Sequence, residues 1–570
     1  MVGEVSMTEK KDKLEQDVLK KHGRAIVHMW QQMLTKRLCL VFGAGAGYDL
    51  GFPKWGELLV ALGKGLPGFS EAKRAASGDL VKLAQLLVNI FDNDFKIRDN
   101  KLRKGEDKSS SSSASTLSQA SYSARLNAAW RDLIYKTLYK NPDTKSDEIL
   151  LKNDCYYKAF LKIIKNSPIT ITYNFDDSIQ RFLENAISGR DKIRKMGYTT
   201  IFDENSQLPT NFPIIYHPNG YLSHQKLQKP SAHLILTEKS FGEQLSDSIS
   251  GRHAVIQSEL AQKTCLIVGS SLADPILIYL LGKNAKHHPG HYHYYVHWSG
   301  DDGLSPSSQA NRDRLFELYN LITLNLSTDA IKTLGDLLSD PMASLRALLV
   351  KNHLISRYTY VVTGAVGSGR GSVISHFRSL KQHDDWLAPS LDGMAKQVKN
   401  LNATEVELID GWVDDQWANK NLNFTYDENM VGLHILNRGP LDPLAFTRDG
   451  DIGRRGARLL RALRIGDQED FITPAHIILL TADPYEMANR ATASGKTFDA
   501  VVLKLQEDKL REVYGSSDAV SVIDTRGLTI QETVRRIAKI IHLENYVPLN
   551  LTQQLISKSN TVQIPLVFTD

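Results

Sequence analysis

A short apolar run that ends in three alternating glycines constrains the fold of this chain more than any other segment. The run at 38–42 has the composition of a buried strand, and Gly43, Gly45 and Gly47 follow it directly. Glycine permits a tight turn and brings backbone N–H groups close to a bound pyrophosphate, which a Cβ atom would obstruct. The pattern is typical of dinucleotide-binding α/β folds, although a structural turn without a ligand also explains it.

Further apolar runs predict a sheet in the first half of the chain. Strands are expected at 169–172, 214–216, 232–236 and 264–268, with helical patterns between several of them. Alternating strands and helices favour a parallel, doubly wound sheet. The pattern becomes helical around 324–350, which predicts a domain boundary near residue 350.

Three polar segments follow these predicted strands, and together with the glycine turn they resemble the SIR2-like family. The segments are 172–176, 217–220 and 268–275. The last of them is similar to the bacterial anti-phage-defence branch of the family. The resemblance covers roughly residues 30–300 and implies a Rossmann-like domain that hydrolyses NAD to nicotinamide and ADP-ribose.

The residues expected to bind NAD lie close behind predicted strands. They are Gly43, Ala44, Gly45, Gly47, Asp49, Asp176, Gly269, Ser270 and Ser271. By resemblance, the glycine turn with Ala44 would line the pyrophosphate, Asp49 would lie at the edge of the nicotinamide side, and Asp176 would hold the ribose or neighbouring loops. The segment at 269–271 follows a strand, where doubly wound folds commonly contact the adenosine ribose. Asp274 fits that site or a helix N-cap equally well.

Asn174 matches the catalytic asparagine of the family, and an amide there can orient both water and ribose hydroxyls. The alternative is a strand-end turn that caps the next helix. The family usually carries histidine directly before a glycine, whereas here Asn219 precedes Gly220 and His217 lies two residues earlier. Because imidazole titrates near neutrality, we expect His217 to be the general base. Alternatively, a backbone carbonyl holds that histidine and Asn174 acts alone.

A second strand and glycine-rich turn begin near residue 355. Gly364 and Gly369 have the spacing of a phosphate-binding P-loop. Arg370, however, replaces the usual lysine, and Ser372 comes one residue later than the hydroxyl that binds Mg²⁺. The missing lysine and the displaced hydroxyl both argue against phosphoryl transfer.

Together with the segments at 433–442 and 477–484, this region resembles P-loop nucleotide kinases of the thymidylate-kinase type. The resemblance covers roughly residues 355–550. It implies a degenerate kinase-like α/β domain that binds a nucleotide or docks a partner. Gly364, Gly369, Arg370 and Ser372 are the candidate phosphate contacts.

Composition excludes several classes of function. The formal net charge of +5 gives no electrostatic reason to expect nucleic acid as a partner. The longest apolar runs fall short of the ~20 residues of a membrane span, and the charged N-terminal segment lacks a secretory signal. We therefore expect a cytoplasmic bacterial protein without membrane contact.

The cysteines and histidines do not predict a metal site. The three cysteines are scattered, so they cannot form the four-cysteine zinc site of deacetylase sirtuins. The histidine-rich segment at 287–297 lacks a ligand spacing with carboxylates or cysteines. We expect no metal, and we expect Cys39 and Cys265 to be small apolar residues of core strands.

The predicted organisation has five parts. They are an N-terminal helical segment at 1–36, the SIR2-like domain at 37–300 with a solvated serine-rich insertion at 101–118, a helical connector at 301–354, the kinase-like domain at 355–550 and a tail at 551–570.

The function expected from both resemblances is a defence effector that destroys NAD when a nucleotide or a phage protein triggers its C-terminal domain. An oligomer and a partner defence subunit are expected from the family alone. One alternative is a non-catalytic sensor of NAD or ADP-ribose. Another is an active nucleotide kinase with a regulatory SIR2-like half.

Overall fold

A computed structural model describes most of the chain. The described residues are 7–106, 115–186, 197–202, 212–225, 231, 234–247, 252–389, 391, 401–426, 430–447, 451–464 and 470–559. They form two compact units. The first comprises Met1–Val18, Gln32–Lys286 and His293–Pro341, and the second comprises Leu19–Gln31, His287–Tyr292 and Met342–Asp570, as far as these ranges are described.

The first unit contains a seven-stranded sheet in the order β3-β4-β2-β1-β5-β6-β7. Its strands are β1 (Leu38–Phe42), β2 (Ile169–Thr172), β3 (Thr199–Ile201), β4 (Ile214–Tyr216), β5 (Thr264–Val268), β6 (His293–Trp298) and β7 (Leu321–Leu326). All neighbouring strands are parallel. The predicted parallel α/β fold is therefore confirmed.

The central strands β1 and β5 are buried along their whole length, which explains why both appear in the sequence as continuous apolar runs. Cys39 and Cys265 are opposite each other in this pair and are fully buried, as expected for small core residues. From β1 the chain proceeds to β2 on one side of the sheet and later returns to β5 on the other side. Parallel sheets bind ligands at the carboxyl ends of strands where the chain changes direction in this way.

Helices separate most of these strands along the chain. The chain opens with Met7–Leu34, and those that follow in the first unit are Trp55–Gly63, Phe69–Ala76, Leu80–Glu106, Ser115–Leu138, Asp147–Lys152, Tyr156–Asn166, Ser178–Ala186, Glu238–Asp247, Arg252–Gln262, Pro275–His287, Gln309–Tyr319 and Thr328–Ser339. Short 3₁₀ helices occupy Ala44–Leu50 and Pro142–Lys145. Local sequence sets several ends: Ser308 accepts a hydrogen bond from the backbone N–H of Asn311 at one helix start, and left-handed Asn320 ends that helix.

The sheet of the first unit is wider than the sequence predicts. The segment expected to be a helical connector, 301–354, contains strand β7, which pairs with β6 along its whole length. The reason is a short alternation in which Ile322, Leu324 and Leu326 are buried and the residues between them are half-buried, which is the period of a strand. By contrast, 234–236 is not a strand, and 232–233 lies outside the described residues.

The predicted serine-rich insertion is partly helical. Helix Leu80–Glu106 extends into it, and helix Ser115–Leu138 begins before its end. The rest of the insertion, 107–114, lies outside the described residues.

The second unit contains a five-stranded parallel sheet in the order β12-β11-β8-β10-β9. Its strands are β8 (Arg357–Gly364), β9 (Lys381–His383), β10 (Gly432–Asn437), β11 (His476–Thr481) and β12 (Val520–Asp524). The helices are Met342–Lys351, Arg370–Ile374, Ala403–Tyr426, Asp442–Ala445, Ile452–Leu463, Pro484–Ala493, Ala500–Tyr514, Ile530–His542 and Leu551–Ser559. None of the helices in the described part of the chain is both long enough and apolar enough to cross a membrane.

Part of the N-terminal helix belongs to the second unit. The Arg24 guanidinium donates hydrogen bonds to the hydroxyl of Tyr360, at 3.0 Å, and to the carbonyl of Glu544, at 2.7 Å. The amide oxygen of Gln31 accepts from the backbone N–H of Leu433 at 3.2 Å. These bonds explain why 19–31 does not form the separate helical segment predicted from the sequence.

We expect Arg24→Ala to lower the free energy of unfolding of the second unit by about 1–3 kcal/mol, because it leaves the Tyr360 hydroxyl and two carbonyls without a charged donor. Native-state hydrogen exchange of the β8 amides measures this loss. Lys21→Ala, which removes an exposed cation from the same helix, is the control. Equal protection in both variants would contradict the assignment of this helix to the second unit.

Candidate functional site

A cavity of about 780 Å³, open to solvent, lies at the carboxyl ends of the strands in the first unit. Ala44 follows β1, Asn174 follows β2, Asn219 follows β4, and Ser270 follows β5. The lining residues are Ala44, Phe52, Pro53, Trp55, Leu58, Leu138, Tyr173, Asn174, Phe175, Asp176, Asn219, Ile235, Leu236, Phe241, Ser270, Ser271, Ala273 and Asp274. A mostly apolar lining with a few convergent polar groups is typical of a small-molecule site.

The glycine turn after β1 packs against the loop after β5. The Gly45 N–H donates to the carbonyl of Gly269 at 2.8 Å, and Gly43 donates to the carbonyl of Val268 at 3.0 Å. A Cβ atom at Gly43 would lie 2.6 Å from the Cα of Ser270, and one at Gly269 would lie 2.3 Å from the Ala46 nitrogen. These glycines are therefore required for contact between two loops of the protein.

Only some of the residues expected to contact the dinucleotide lie together in the cavity lining. Ala44, Asp176, Ser270 and Ser271 line the cavity, whereas Gly43, Gly45, Gly47 and Gly269 are not among its described lining residues. Asp49 is exposed on the 3₁₀ helix Ala44–Leu50 and also lies outside the described lining.

Asn174 is held firmly in the cavity wall. Its amide nitrogen donates to the carbonyl of Gly43 at 3.1 Å and to the hydroxyl of Tyr157 at 2.8 Å. The residue is 8% exposed. Since the nitrogen is used inside the protein, the amide oxygen is the atom that remains to accept a hydrogen bond from a ligand.

His217, the expected general base, is not among the described lining residues of the cavity. The ring is fully buried, with Nδ1 2.9 Å from the carbonyl of Asn174 and Nε2 2.7 Å from the amide nitrogen of Gln180. Burial lowers the pKa of His217 to about 4. A neutral ring whose Nδ1–H donates to Asn174 and whose Nε2 accepts from Gln180 satisfies both contacts, so His217 fixes the backbone of Asn174.

Two consecutive carboxylates follow Asn174 and differ in role. Asp176 lines the cavity, and one of its oxygens accepts from the backbone N–H of Ser178 at 3.0 Å. Burial raises the pKa of Asp176. For Asp177 burial also acts to raise the pKa, but hydrogen bonds and the charge of His224 outweigh it, and the net shift is downward. Asp177 accepts from His224 at 2.6 Å and from Tyr139 at 3.0 Å, so it holds neighbouring segments together.

Asn219 was not predicted as a site residue, yet it lines the cavity. Its amide nitrogen donates to Asp274 at 3.0 Å. The other oxygen of Asp274 accepts from the backbone N–H groups of Ile276 and Leu277, so Asp274 is a helix N-cap and a partner of Asn219 at once. The sequence did contain a signal for this role, because Asn219 directly precedes Gly220, at the position where the family usually carries histidine.

In the glycine-rich turn of the second unit, the side chain of Arg370 folds back onto the turn itself. The Arg370 guanidinium donates to the carbonyl of Gly364 at 3.2 Å and to the amide oxygen of Asn437 at 2.5 Å, and it pairs with Asp385 at 3.4 Å. Burial lowers the pKa of Arg370 to about 10. Ser372 is exposed, and Gly369 adopts a left-handed conformation with φ of 91° at the start of a five-residue helix. Of the four expected phosphate contacts, Arg370 and the carbonyl of Gly364 are thus engaged in internal bonds.

A second cavity of about 810 Å³ lies in the second unit. Aromatic rings line it together with Arg438, Asp442, Arg455 and Gln506. One guanidinium nitrogen of Arg455 and the amide oxygen of Gln506 are buried without a hydrogen-bond partner. Among the described residues, no group of three histidine, cysteine or acidic side chains is placed to hold a metal ion.

A family model described as a SIR2-like domain matches residues 168–324. The match begins just before β2, ends within β7, and includes Asn174, Asn219 and Ser270. Among solved structures, the chain is similar to thymidylate kinase from Candida albicans, with 12% identity, a TM-score of 0.26, and coverage of 34% of this chain and 97% of that chain. No curated protein matches significantly. The SIR2-like match indicates an NAD-related function, and that family includes NAD-dependent enzymes.

Gly269→Ala tests the contact between the two loops. We expect a loss of about 1–2 kcal/mol from left-handed backbone strain and a further ~1–3 kcal/mol from the clash with Ala46. Gly65→Ala is the matched control, since Gly65 has a similar positive φ but nothing within 4 Å of its added Cβ. Calorimetric unfolding of both variants measures the difference, and equal losses would contradict the packing of these loops.

His217→Gln tests the buried imidazole through pH. Because the pKa of His217 falls from 6.5 to about 4 on folding, the unfolded chain binds more protons between these values. The stability that the neutral ring contributes is therefore present above pH 6.5 and is lost as the pH falls towards 4. We expect the variant to lose part of this slope in the free energy of unfolding. An unchanged slope would contradict a buried, neutral His217.

Proposed function

We propose that the first unit hydrolyses NAD to nicotinamide and ADP-ribose. The observation that carries the proposal is Asn174, whose amide nitrogen is held by Gly43 and Tyr157 while its oxygen remains for a ligand in the cavity wall. The SIR2-like match over this region supports NAD as the substrate.

The chemistry requires little acid–base assistance at the leaving group. The bond between C1′ of the ribose and the nicotinamide nitrogen breaks, its electron pair neutralises the cationic ring, and positive charge develops on the sugar. The Asn174 amide oxygen would orient the attacking water or a ribose hydroxyl. Water then forms the new bond to C1′ and gives up a proton.

Asp176 is the side chain best suited to accept the proton that the attacking water releases. The ionisable side chains among the described lining residues are Tyr173, Asp176 and Asp274, and Asp274 is engaged by Asn219 and a helix start. One oxygen of Asp176 accepts from the backbone N–H of Ser178, and its raised pKa favours proton uptake. The carboxylate would also balance the positive charge that develops on the ribose.

The second unit would control this activity. A cell that destroyed its NAD continuously could not survive. We therefore propose a defence effector that hydrolyses NAD only after infection. The second cavity, with unpartnered polar atoms on Arg455 and Gln506, supports ligand binding by this unit. The internal bonds of Arg370 argue against ATP-dependent phosphoryl transfer at the neighbouring turn.

The test follows nicotinamide and ADP-ribose release by the full chain, alone and with a panel of nucleoside and deoxynucleoside triphosphates. We expect Asn174→Ala to reduce the rate by at least about 100-fold, as the loss of an oriented polar group in a catalytic site does. Asn419→Ala is the control, because Asn419 is an exposed asparagine in helix Ala403–Tyr426 of the second unit. A nucleotide that raises the rate would identify the trigger.

Two results would contradict the proposal. One is release that is unchanged in Asn174→Ala. The other is NAD binding without ADP-ribose formation under every condition, including infected-cell extract, which would favour the non-catalytic sensor.

A further inference from the structure

Two arginines of the second unit share one carboxylate. The guanidinium groups of Arg370 and Arg438 lie 3.4 Å and 3.1 Å from the same oxygen of Asp385. The other oxygen of Asp385 is buried and has no hydrogen-bond partner. A single oxygen therefore serves two cations, although a guanidinium group pairs most strongly with two oxygens at once.

Arg370 is a buried cation that needs a neighbouring anion. Its guanidinium also donates to the amide oxygen of Asn437 at 2.5 Å and to the carbonyl of Gly364 at 3.2 Å, but neither of these acceptors carries a charge. Burial and the nearby charge of Arg438 lower the pKa of Arg370 to about 10, so the group stays charged near neutral pH. Buried charges in proteins are paired with a charge of opposite sign, and Asp385 supplies it here.

Arg438 directly follows β10 and has a strained backbone, with a φ of 71°. Residues other than glycine rarely adopt this conformation, and strain of this kind is concentrated at functional sites. The guanidinium carbon of Arg438 lies 5.0 Å from the centre of the Phe446 ring. Arg438 also lines the second cavity, so a ligand in that cavity can contact it.

Asp442 lines the same cavity but does not replace Asp385 as the counter-ion. Its two oxygens accept from the hydroxyls of Thr363, at 2.8 Å, and Tyr514, at 2.6 Å. Burial raises the pKa of Asp442. The charge of the two arginines is therefore balanced chiefly by Asp385.

Of the three charged side chains, Asp385 is the one that can most readily turn towards solvent. It lies two residues after β9, a three-residue strand at the edge of the sheet. Its side chain is 25% exposed, whereas those of Arg370 and Arg438 are 11% and 16% exposed. An incoming anion would therefore displace the carboxylate rather than the arginines.

We propose that Asp385 is an internal counter-ion that closes an anion site between Arg370 and Arg438. A phosphate group displaces the carboxylate, which turns towards solvent, and pairs with the two guanidinium groups through separate oxygens. The second unit thus binds a phosphate-bearing ligand only when its phosphate outcompetes Asp385. This closure does not depend on NAD hydrolysis by the first unit.

Calorimetric titration of the full chain with inorganic phosphate, in a buffer that is otherwise free of phosphate, tests the closure. Asp385→Asn removes the charge at nearly constant size. We expect it to lower the dissociation constant for phosphate by about tenfold, as the loss of a competing charged hydrogen bond does. Asp415→Asn is the matched control and should bind phosphate like the wild-type protein, because Asp415 is an exposed carboxylate on helix Ala403–Tyr426 of the same unit.

Arg438→Gln locates the bound phosphate. Because this change removes one of the two cations, Asp385→Asn should bring no gain in phosphate affinity when the two changes are combined. A gain that persists in the double variant would mean that phosphate binds elsewhere and would overturn the proposal. Phosphate binding by Asp385→Asn that is equal to or weaker than that of the wild-type protein, or no binding by either, would also overturn it.

Thermal unfolding shows whether each variant is folded before its titration is interpreted. If Asp385→Asn does not fold, Asp385→Ser removes the same charge with a smaller side chain and takes its place. The expected tenfold gain and its loss in combination with Arg438→Gln are the same for this variant, and so are the results that would overturn the proposal.

Discussion

The candidate site depends on one backbone contact between the loops that follow the two central strands, β1 and β5. The Gly45 N–H donates to the carbonyl of Gly269, and neither position has room for a side chain. This contact places Ala44 and Ser270 in one wall of the cavity. It also fixes the Gly43 carbonyl that accepts from Asn174, so the orientation of the catalytic candidate follows from the packing of glycines.

Sequence reasoning predicted the centre of the sheet better than its edges. Strands β1 and β5 are buried on both faces and appear as continuous apolar runs, so their type and position could be predicted. Strand β3 has only three residues and little apolar character, and it was missed. Strand β7 alternates between buried and half-buried positions over a short length, a pattern that is difficult to separate from a helix.

The site residues show where the spacing of a sequence motif no longer predicts which side chains line the cavity. Asn174 was predicted from its motif and does line the cavity, but His217 and Asn219 are two residues apart and face different surroundings. Which of them enters the cavity depends on the turn after β4, where Gly220 adopts a φ of 108°. A similar limit applies to Arg370, whose position in a P-loop spacing gives no sign that its side chain folds back onto Gly364.

We propose a site that works through fixed amides and a buried carboxylate, with the imidazole of His217 bonded to the backbone of Asn174. Product stoichiometry tests this claim most directly. If the first unit directs water to C1′ of the nicotinamide ribose, the full chain will convert NAD into equal amounts of nicotinamide and ADP-ribose, and Asn174→Ala will form almost none of either product. Nicotinamide without an equal amount of ADP-ribose, or both products at the wild-type rate in that variant, would contradict the account.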